Sequence, residues 1–509
     1  MFTSWRPARS RPLLKALTVL AGIACLAQLV PTPAVADTNA PSQPGEGSTV
    51  ALSDLDLSLV DQGWGVAGRD KSVSGKPLSI GGRTFDRGIG THAVSRFVLR
   101  LDGDASRFKA SAGVDDNTGE KATVRFSVRG DGKELWTSPM LRKGDAAVPV
   151  DVDVSSVQHL SLNIDGAGDG IGEDHADWAE PTLTGVTKQP VVVSRLPEEE
   201  GLILPGRHWP DDRGRHIQAH GGGILKLGDT YYWFGEDRGR ENQRDKRYVA
   251  CYSSTDLIHW TFRRQVVART SPFDKAPEKW WTLERPKVFH NAKTGKFVMY
   301  VHIEGGELRD YWRGEVAIFT SDTVDGDYQF VRTFRPLGKE SRDIGQFVDD
   351  DGSAYLIFES RPSRGFYIAK LTDDYMDVSH VTCFIKSPLE GGALVKHDGL
   401  YYIIGSWMTG WYPNNNMYAT AKSLEGPWSK FQDIAPKEKN TYGSQSTLML
   451  KVVGSKQTSV IFMGDMWKPK SHWDGRYLWM PLEIGDGKLR LPEPRPWTID
   501  VKTGVVSFK

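Results

Sequence analysis

The chain has 509 residues, with 64 Lys and Arg balanced by 64 Asp and Glu, so its formal charge is zero. That balance, with no long basic run, offers no counter-charge to a nucleic acid or an anionic bilayer and excludes both as main partners. The 39% apolar content is enough for packed cores, three Cys cannot build a disulfide scaffold or a Cys-based zinc site, and 17 Trp supply flat apolar faces that fill cores or stack on sugar rings.

Residues 1–36 read as a secretory signal. Arg6, Arg9, Arg11 and Lys15 precede an apolar run over 16–30, and Ala34-Val35-Ala36 offers a small-x-small cleavage site. The run is too short for a bilayer span. The expected product is extracellular and soluble, and keeps only Cys251 and Cys383, each in an apolar strand-like run and expected as a buried free thiol. Residues 37–48, rich in Pro, Ser, Gly and Asn, read as a linker. From 49 to 186 the chain alternates short β-branched runs, such as Phe97-Val98-Leu99 and Val124-Arg125-Phe126-Ser127-Val128, with Gly/Asp turns. This period of two predicts an antiparallel β-sandwich. A stretch containing Pro and Glu over 187–205 reads as a second linker.

Residues 206–509 repeat one unit five times: an apolar strand, a Gly/Asp/Asn turn, an aromatic strand, then a second strand pair. The hairpins fall at 222–236, 285–304, 346–359, 393–407 and 446–467. Five units of four strands predict a five-bladed β-propeller, so the fold class is all-β.

In a propeller the innermost strands converge on one axis, and the residues just before them share a funnel. Those positions hold Gln218 and His220, Glu284, Asp343, Glu390 and Gln445. Three carboxylates from three blades in one polar funnel raise each other's proton affinity. Glycoside hydrolysis needs this, because one carboxyl must stay protonated while others stabilise positive charge on the sugar.

At these residues the chain resembles glycoside hydrolase family 43, and within it the exo-β-1,3-galactanase-like branch, over nearly all of 206–509. The resemblance is carried by Ile217-Gln218-Ala219-His220-Gly221, Tyr232-Trp233-Phe234-Gly235-Glu236-Asp237, Glu284-Arg285-Pro286-Lys287, Ser341-Arg342-Asp343, Leu389-Glu390, Gly410-Trp411-Tyr412-Pro413-Asn414, Ser444-Gln445 and Phe462-Met463-Gly464-Asp465. It implies inverting, exo-acting release of terminal galactose. It also implies Glu390 as general acid, Asp343 as the partner that tunes its pKa, and Glu284 and Glu236 as substrate-binding carboxylates. Most of the family carries an Asp base at the first blade's entrance, where this chain has Gln218-Ala219-His220, expected instead to contact substrate. The branch places a Gln at the fifth blade's entrance, matched by Gln445. An amide is too weakly basic for ordinary proton abstraction, so Gln445 either uses an unusual tautomer or positions water, and Asp211 and Asp212 are rival bases. Gly391-Gly392 replaces the branch's Ala-Pro, and Met408 stands where a substrate-contacting Thr is expected. Trp281, Trp312, Trp407, Trp411 and Trp467 are candidates to stack on galactose, Trp411 foremost.

Residues 49–186 resemble an NPCBM module of the carbohydrate-binding family 51 type, through Gly63-Trp64-Gly65, Gly88-Ile89-Gly90-Thr91-His92 and Gly113-Val114-Asp115-Asp116. This implies binding of galactose-type sugars, with Trp64 stacking and His92 hydrogen bonding. Asp115 and Asp116 either make Asx turns or ligate calcium; no cofactor or metal is required. The leading expectation is a secreted, monomeric galactan-degrading enzyme acting on a polysaccharide or oligosaccharide. The alternatives are an α-L-arabinofuranosidase or galactofuranosidase on the same fold, and a catalytically dead, lectin-like propeller.

Overall fold

The computed structural model describes residues 47–168, 170–270, 280–305, 311 and 313–509. The signal read at 1–36, most of the linker read at 37–48, and Trp312 lie outside the described residues.

The N-terminal region is a sandwich-like pair of antiparallel sheets. One sheet runs in the order Val148–Asp153, Arg107–Val114, His175–Val186, Gly88–His92, Gly68–Arg69, with Ser48–Ala51 also pairing His175–Val186. The other runs Lys133–Thr137, Thr123–Gly130, His159–Asp165, Ser95–Arg100, Val191–Val193. The period of two sorts side chains by face: along Thr123–Gly130, Val124, Phe126 and Val128 are buried while Arg125 and Arg129 face water. The inner faces meet around Phe97, Leu99, Phe108, Leu160, Leu162 and Trp178, with Trp178 edge-on to Phe126 at 4.8 Å.

The segment read as a second linker has structure of its own. Val191–Val193 adds an edge strand to the second sheet, and Glu199 accepts both Arg96 Nη1 and Nη2, at 2.6 and 2.9 Å. Ile203 bridges to Trp497 through paired backbone hydrogen bonds. On the same side of the module, Asp61 accepts the His208 N–H at 2.7 Å and meets Arg476 at 3.5 Å, and Lys468 donates to the Gln62 carbonyl. These polar contacts weld the sandwich to the C-terminal region.

Residues 220–481 form five antiparallel sheets in succession. Four have four strands each and start at His220–Leu227, Trp281–His290, Ile344–Val348 and Leu389–His397; the fifth, starting at Gln445–Val453, has three. Each first strand lies beside the first strand of the next sheet, and the fifth lies beside the first. The tight turns are as written in the sequence; Asp398-Gly399, both at positive φ, closes the two-residue hairpin that pairs His397 with Leu400. The fifth sheet departs from the expected four strands. After Arg476–Pro481 the chain makes two separate hairpins, Glu483–Gly485 with Lys488–Arg490 and Trp497–Asp500 with Val505–Phe508. The intervening Pro492, Pro494 and Pro496 have no N–H to donate to a sheet ladder, which rules out a fourth strand there.

One feature of the first strands governs the site. In four sheets the ladder slips near its start, between His220 and Gly223, Glu284 and Lys287, Glu390 and Ala393, and Ser446 and Leu448. Each slip is a β-bulge, which bends the strand and re-aims the side chain beside it. Gly221 and Gly391 supply the left-handed residue in two of them; in a third it is Arg285, at φ 52°. Buried Lys287 donates to the carbonyls of Gly221 and Gly222, tying the second sheet's bulge to the first's.

Candidate active site

The bulged strand starts carry His220, Glu284, Glu390 and Gln445, and Asp343 immediately precedes the third sheet's first strand. Arg285 draws them together. Its Nη2 lies 2.8 Å from Asp343 Oδ2 and donates to Gln445 Oε1 at 2.7 Å. Its Nη1 donates to Ser446 O and Thr447 Oγ1, at 3.0 and 3.2 Å, and its backbone N–H donates to Glu236 Oε1 at 3.0 Å. Gln445 Nε2 then donates to Glu390 Oε1 at 3.0 Å. All five sheets thus contribute to one cluster. The bonds made by Arg285 over-determine its strained backbone, as positive φ at a non-glycine residue requires.

The carboxyls in this cluster are pushed in opposite directions. Glu390 is buried, and burial, with Asp343 and then Glu359 nearby, pushes its carboxyl up to about 8 despite Arg285 and Arg361. Arg361 Nη2 stands 3.7 Å from Glu390 Oε2, and its Nε is 3.5 Å from Glu359 Oε1. Glu359 is wholly buried, neither of its oxygens accepts a hydrogen bond, and burial and Asp343 push it up to about 7. At Glu284 burial pulls upward too, but His302, Arg238 and Tyr311 overcome it and hold the carboxyl well below the usual range. Thr282 Oγ1 donates to Glu284 at 2.9 Å, and the Tyr311 hydroxyl donates as well. His302 sits between two acids, 3.3 Å from Glu284 and 3.1 Å from Glu304; burial alone would lower it, yet these partners raise it to about 9. Glu304 is in turn held by Arg342 at 2.7 Å. Glu236 is raised by burial against the pull of Arg238, which pairs with it directly. The cluster therefore holds an acid that keeps its proton beside one that stays ionised, the division of labour glycoside hydrolysis needs.

Glu284, His302 and Asp343 bring ligand-type atoms within 4.8 Å of one another. In this arrangement His302 bridges the two acids Glu284 and Glu304.

The Gln445 amide has a determined orientation. Arg285 and the Trp467 indole can only donate, so the oxygen faces them, at 2.7 and 2.9 Å, and the nitrogen faces Glu390 and Ser406 Oγ, each at 3.0 Å. Gln218 and His220 are buried, as Glu236, Glu284 and Glu390 are. Gln218 Nε2 donates to Trp473 O at 2.7 Å; His220 is buried, 3.2 Å from Asp465 and stacked on Tyr477. Asp211 and Asp212 are not brought to the cluster. Asp211 clasps Arg213 and the backbone N–H of Arg215, and Asp212 caps Phe262, because both lie in a turn against the first sheet's outer strand. Of the aromatic candidates, Trp281 is core. Trp467 and the 40% exposed Trp411 meet at 5.1 Å, with Arg238 within 5.8 Å of both rings. Trp407 is exposed to the same degree. Cys251 and Cys383 are both free thiols, Cys251 buried as expected and Cys383 only half-buried.

Sequence reasoning gave no role to Glu304, Glu359 or Asp465. A signal for them exists: at or next to the end of each second strand stands Glu236, Glu304, Glu359, Ser406 or Asp465. Four of these five positions are acids, one strand outward from the positions the sequence singled out.

In the N-terminal region Trp64, half exposed, stacks on His175 at 5.4 Å and lies 5.7 Å from His92. Burial, with His175 nearby, lowers His92 to about 4 although its Nδ1 bonds Ala93 O. The two predicted sugar contacts thus share a patch with His175, which sequence reasoning missed. Asp116 accepts from Ser79 Oγ and the N–H groups of Gly81 and Gly82, and Asp115 Oδ1 from the N–H of Asn117, as in an Asx turn, while the buried Asp115 Oδ2 accepts no hydrogen bond.

Residues 48–184 match the NPCBM/NEW2 domain, and residues 220–462 match Glycosyl hydrolases family 43. The chain is 36% identical to the exo-β-1,3-galactanase of Phanerochaete chrysosporium crystallised with β-1,3-galactotriose, at a TM-score of 0.56 over 61% of this chain and 71% of that one. It is 37% identical to an exo-β-1,3-galactanase from Clostridium thermocellum, at a TM-score of 0.56 over 61% and 69%. A family 43 β-1,3-galactosidase solved with galactodeoxynojirimycin is 35% identical, at a TM-score of 0.52, with 57% of this chain and 97% of that one covered. Curated relatives are matched over much less of their length: the chain spans 28% of Alpha-1,3-galactosidase B from Akkermansia muciniphila (31% identical, 42% of this chain) and 8% of a relative from Renibacterium salmoninarum (33% identical, 24% of this chain). A cluster that pairs a protonated with an ionised carboxyl, and likeness at this level across nearly a whole solved relative, lead to one assignment: the chain belongs to glycosyl hydrolase family 43.

Proposed function

We propose that this protein is a secreted, inverting exo-glycosidase that releases terminal galactose from β-1,3-galactan of the arabinogalactan type. In this reading its five sheets are the blades of a propeller, and the bulged strand starts form the mouth that takes the non-reducing end. The ring of neighbouring first strands supports the propeller. The observation that carries the function is Glu390, a buried carboxyl pushed up to about 8 that can give its proton to a departing sugar oxygen. Asp343, pinned by Arg285, keeps that proton in place. Glu284, ionised, and Glu236 hold sugar hydroxyls, with Trp411 under the ring. Galactose as the sugar is supported by the solved relatives, named as β-1,3-galactanases and a β-1,3-galactosidase.

Gln445 is assigned a positioning role. As an imidic acid it would carry hydrogen on the oxygen that Arg285 and Trp467 already donate to, and two donors facing a hydroxyl oppose that tautomer. Its amide instead holds Glu390 against the Arg285–Asp343 pair. The N-terminal module, through Trp64, His92 and His175, anchors the enzyme on galactan.

The test is incubation of the protein with β-1,3-galactobiose and with an aryl arabinofuranoside, followed by chromatography. Galactose release that disappears in Glu390→Gln supports this reading. Arabinose release alone indicates an arabinofuranosidase, and binding without turnover a lectin. Proton NMR of the first product shows α-galactose when water attacks opposite the leaving group; β-galactose would refute inversion.

A further inference from the structure

Next to Glu390, whose Oε2 lies 3.7 Å from Arg361, is a cleft of about 540 Å³ lined by Arg361, Arg364, Pro388, Trp407, Met408 and Thr409. Its volume suits a small-molecule site. One wall is fixed by Asn414, which accepts the Trp407 N–H at 3.0 Å and donates to Trp407 O and Thr409 Oγ1, at 2.6 and 2.7 Å. The exposed Trp407 ring is thereby presented on a set backbone.

The lining is also cationic. Arg364 pairs with no carboxylate among the described residues, while Arg361 faces Glu359 and Glu390 at 3.5 and 3.7 Å. Both of those carboxyls favour their neutral forms, Glu359 up to pH about 7 and Glu390 up to about 8. Below neutrality the negative charge facing Arg361 is then chiefly that of Asp343, which Arg285 already pairs, and Arg364 faces none among the described residues. Two such charges beside an aromatic face suit a ring that carries an anion: guanidinium forks match carboxylate and sulfate oxygens, and the indole takes the apolar side of a sugar.

We propose that this cleft is a leaving-group-side subsite for an acidic sugar, with Arg361 and Arg364 holding a carboxylate or sulfate and Trp407 stacking on the ring. The proposal rests on Glu390 being the general acid, since that places the leaving group on this side. A substrate bearing an anionic group on its second sugar is therefore preferred to a neutral one.

The test compares neutral β-1,3-galactobiose with two derivatives whose reducing-side galactose carries a glucuronate or a sulfate ester, in wild type and in Arg364→Gln. Wild type is expected to show kcat/KM at least about 10-fold higher for a charged substrate. In Arg364→Gln that preference falls to about 2-fold or less while neutral turnover stays within about 2-fold, and added salt erodes the preference in wild type. Which derivative gains identifies carboxylate or sulfate as the natural group. Equal kcat/KM for all three in wild type, or parallel losses in the variant, would overturn the subsite. Absence of neutral turnover would instead count against the hydrolase reading. The subsite is then read by calorimetry on Glu390→Gln, where binding of a charged disaccharide at least about 10-fold tighter than the neutral one supports it and equal binding refutes it.

Discussion

Glu359→Gln is the sharpest probe of the electrostatics around Glu390. The carboxyl is fully buried, accepts no hydrogen bond, and stands at about 7 against an ordinary 4.5. A raised acid favours folding while protonated: its contribution is whole below pH 4.5 and is lost as the pH climbs through 7. At about 1.4 kcal/mol per pH unit, that loss comes to about 3 kcal/mol. Glutamine keeps the shape and carries no such loss. The variant is therefore expected to gain on wild type steadily between pH 4.5 and 7, then hold a constant advantage. Thermal unfolding of both proteins across pH 4–9 reads this directly. The same change removes a negative neighbour of Glu390, so the alkaline limb of activity, near pH 8 in wild type, moves down by about one pH unit. The charged groups facing Glu359 are Asp343, Glu390, Arg361, Arg342 and His302, and all are retained in the variant. Parallel stability curves with an unmoved alkaline limb would refute the reasoning.

Glu390→Gln is expected to lower kcat by about 10²–10⁴ with little effect on KM, as loss of a general acid does, measured by galactose release. Trp64→Ala should abolish retention on insoluble galactan while leaving turnover of galactobiose unchanged, read by a pull-down beside a kinetic assay. Gly391→Ala places a Cβ 3.0 Å from the Ser446 carbonyl at φ 65°, so about 1–3 kcal/mol of stability and much of the activity should go, followed by urea unfolding.

Much of this was legible in the sequence because strands announce themselves by period and turn chemistry. The two-residue turns, the five units and the order of Glu284, Asp343, Glu390 and Gln445 could be read from linear text. What escaped reading depends on register. A bulge is one extra residue in a ladder, and nothing in Glu284-Arg285-Pro286 states that Arg285 takes a left-handed backbone and spans to the fifth sheet. Glu359 looks like any polar residue at a strand end; only the fold reveals that it is buried with no hydrogen bond. Asp211 and Asp212 show the converse, acids near the site in sequence whose oxygens a local turn had already claimed. The fifth sheet's missing strand could have been foreseen, since three prolines in five residues mark where a ladder must stop.

The weld at Asp61 ties the aromatic patch of the N-terminal sandwich to the C-terminal sheets. Trp64 is three residues from the carboxylate that grips His208 and Arg476, so under the proposed function a glycan seated on that indole is held on a rigid mount and not on a flexible tether.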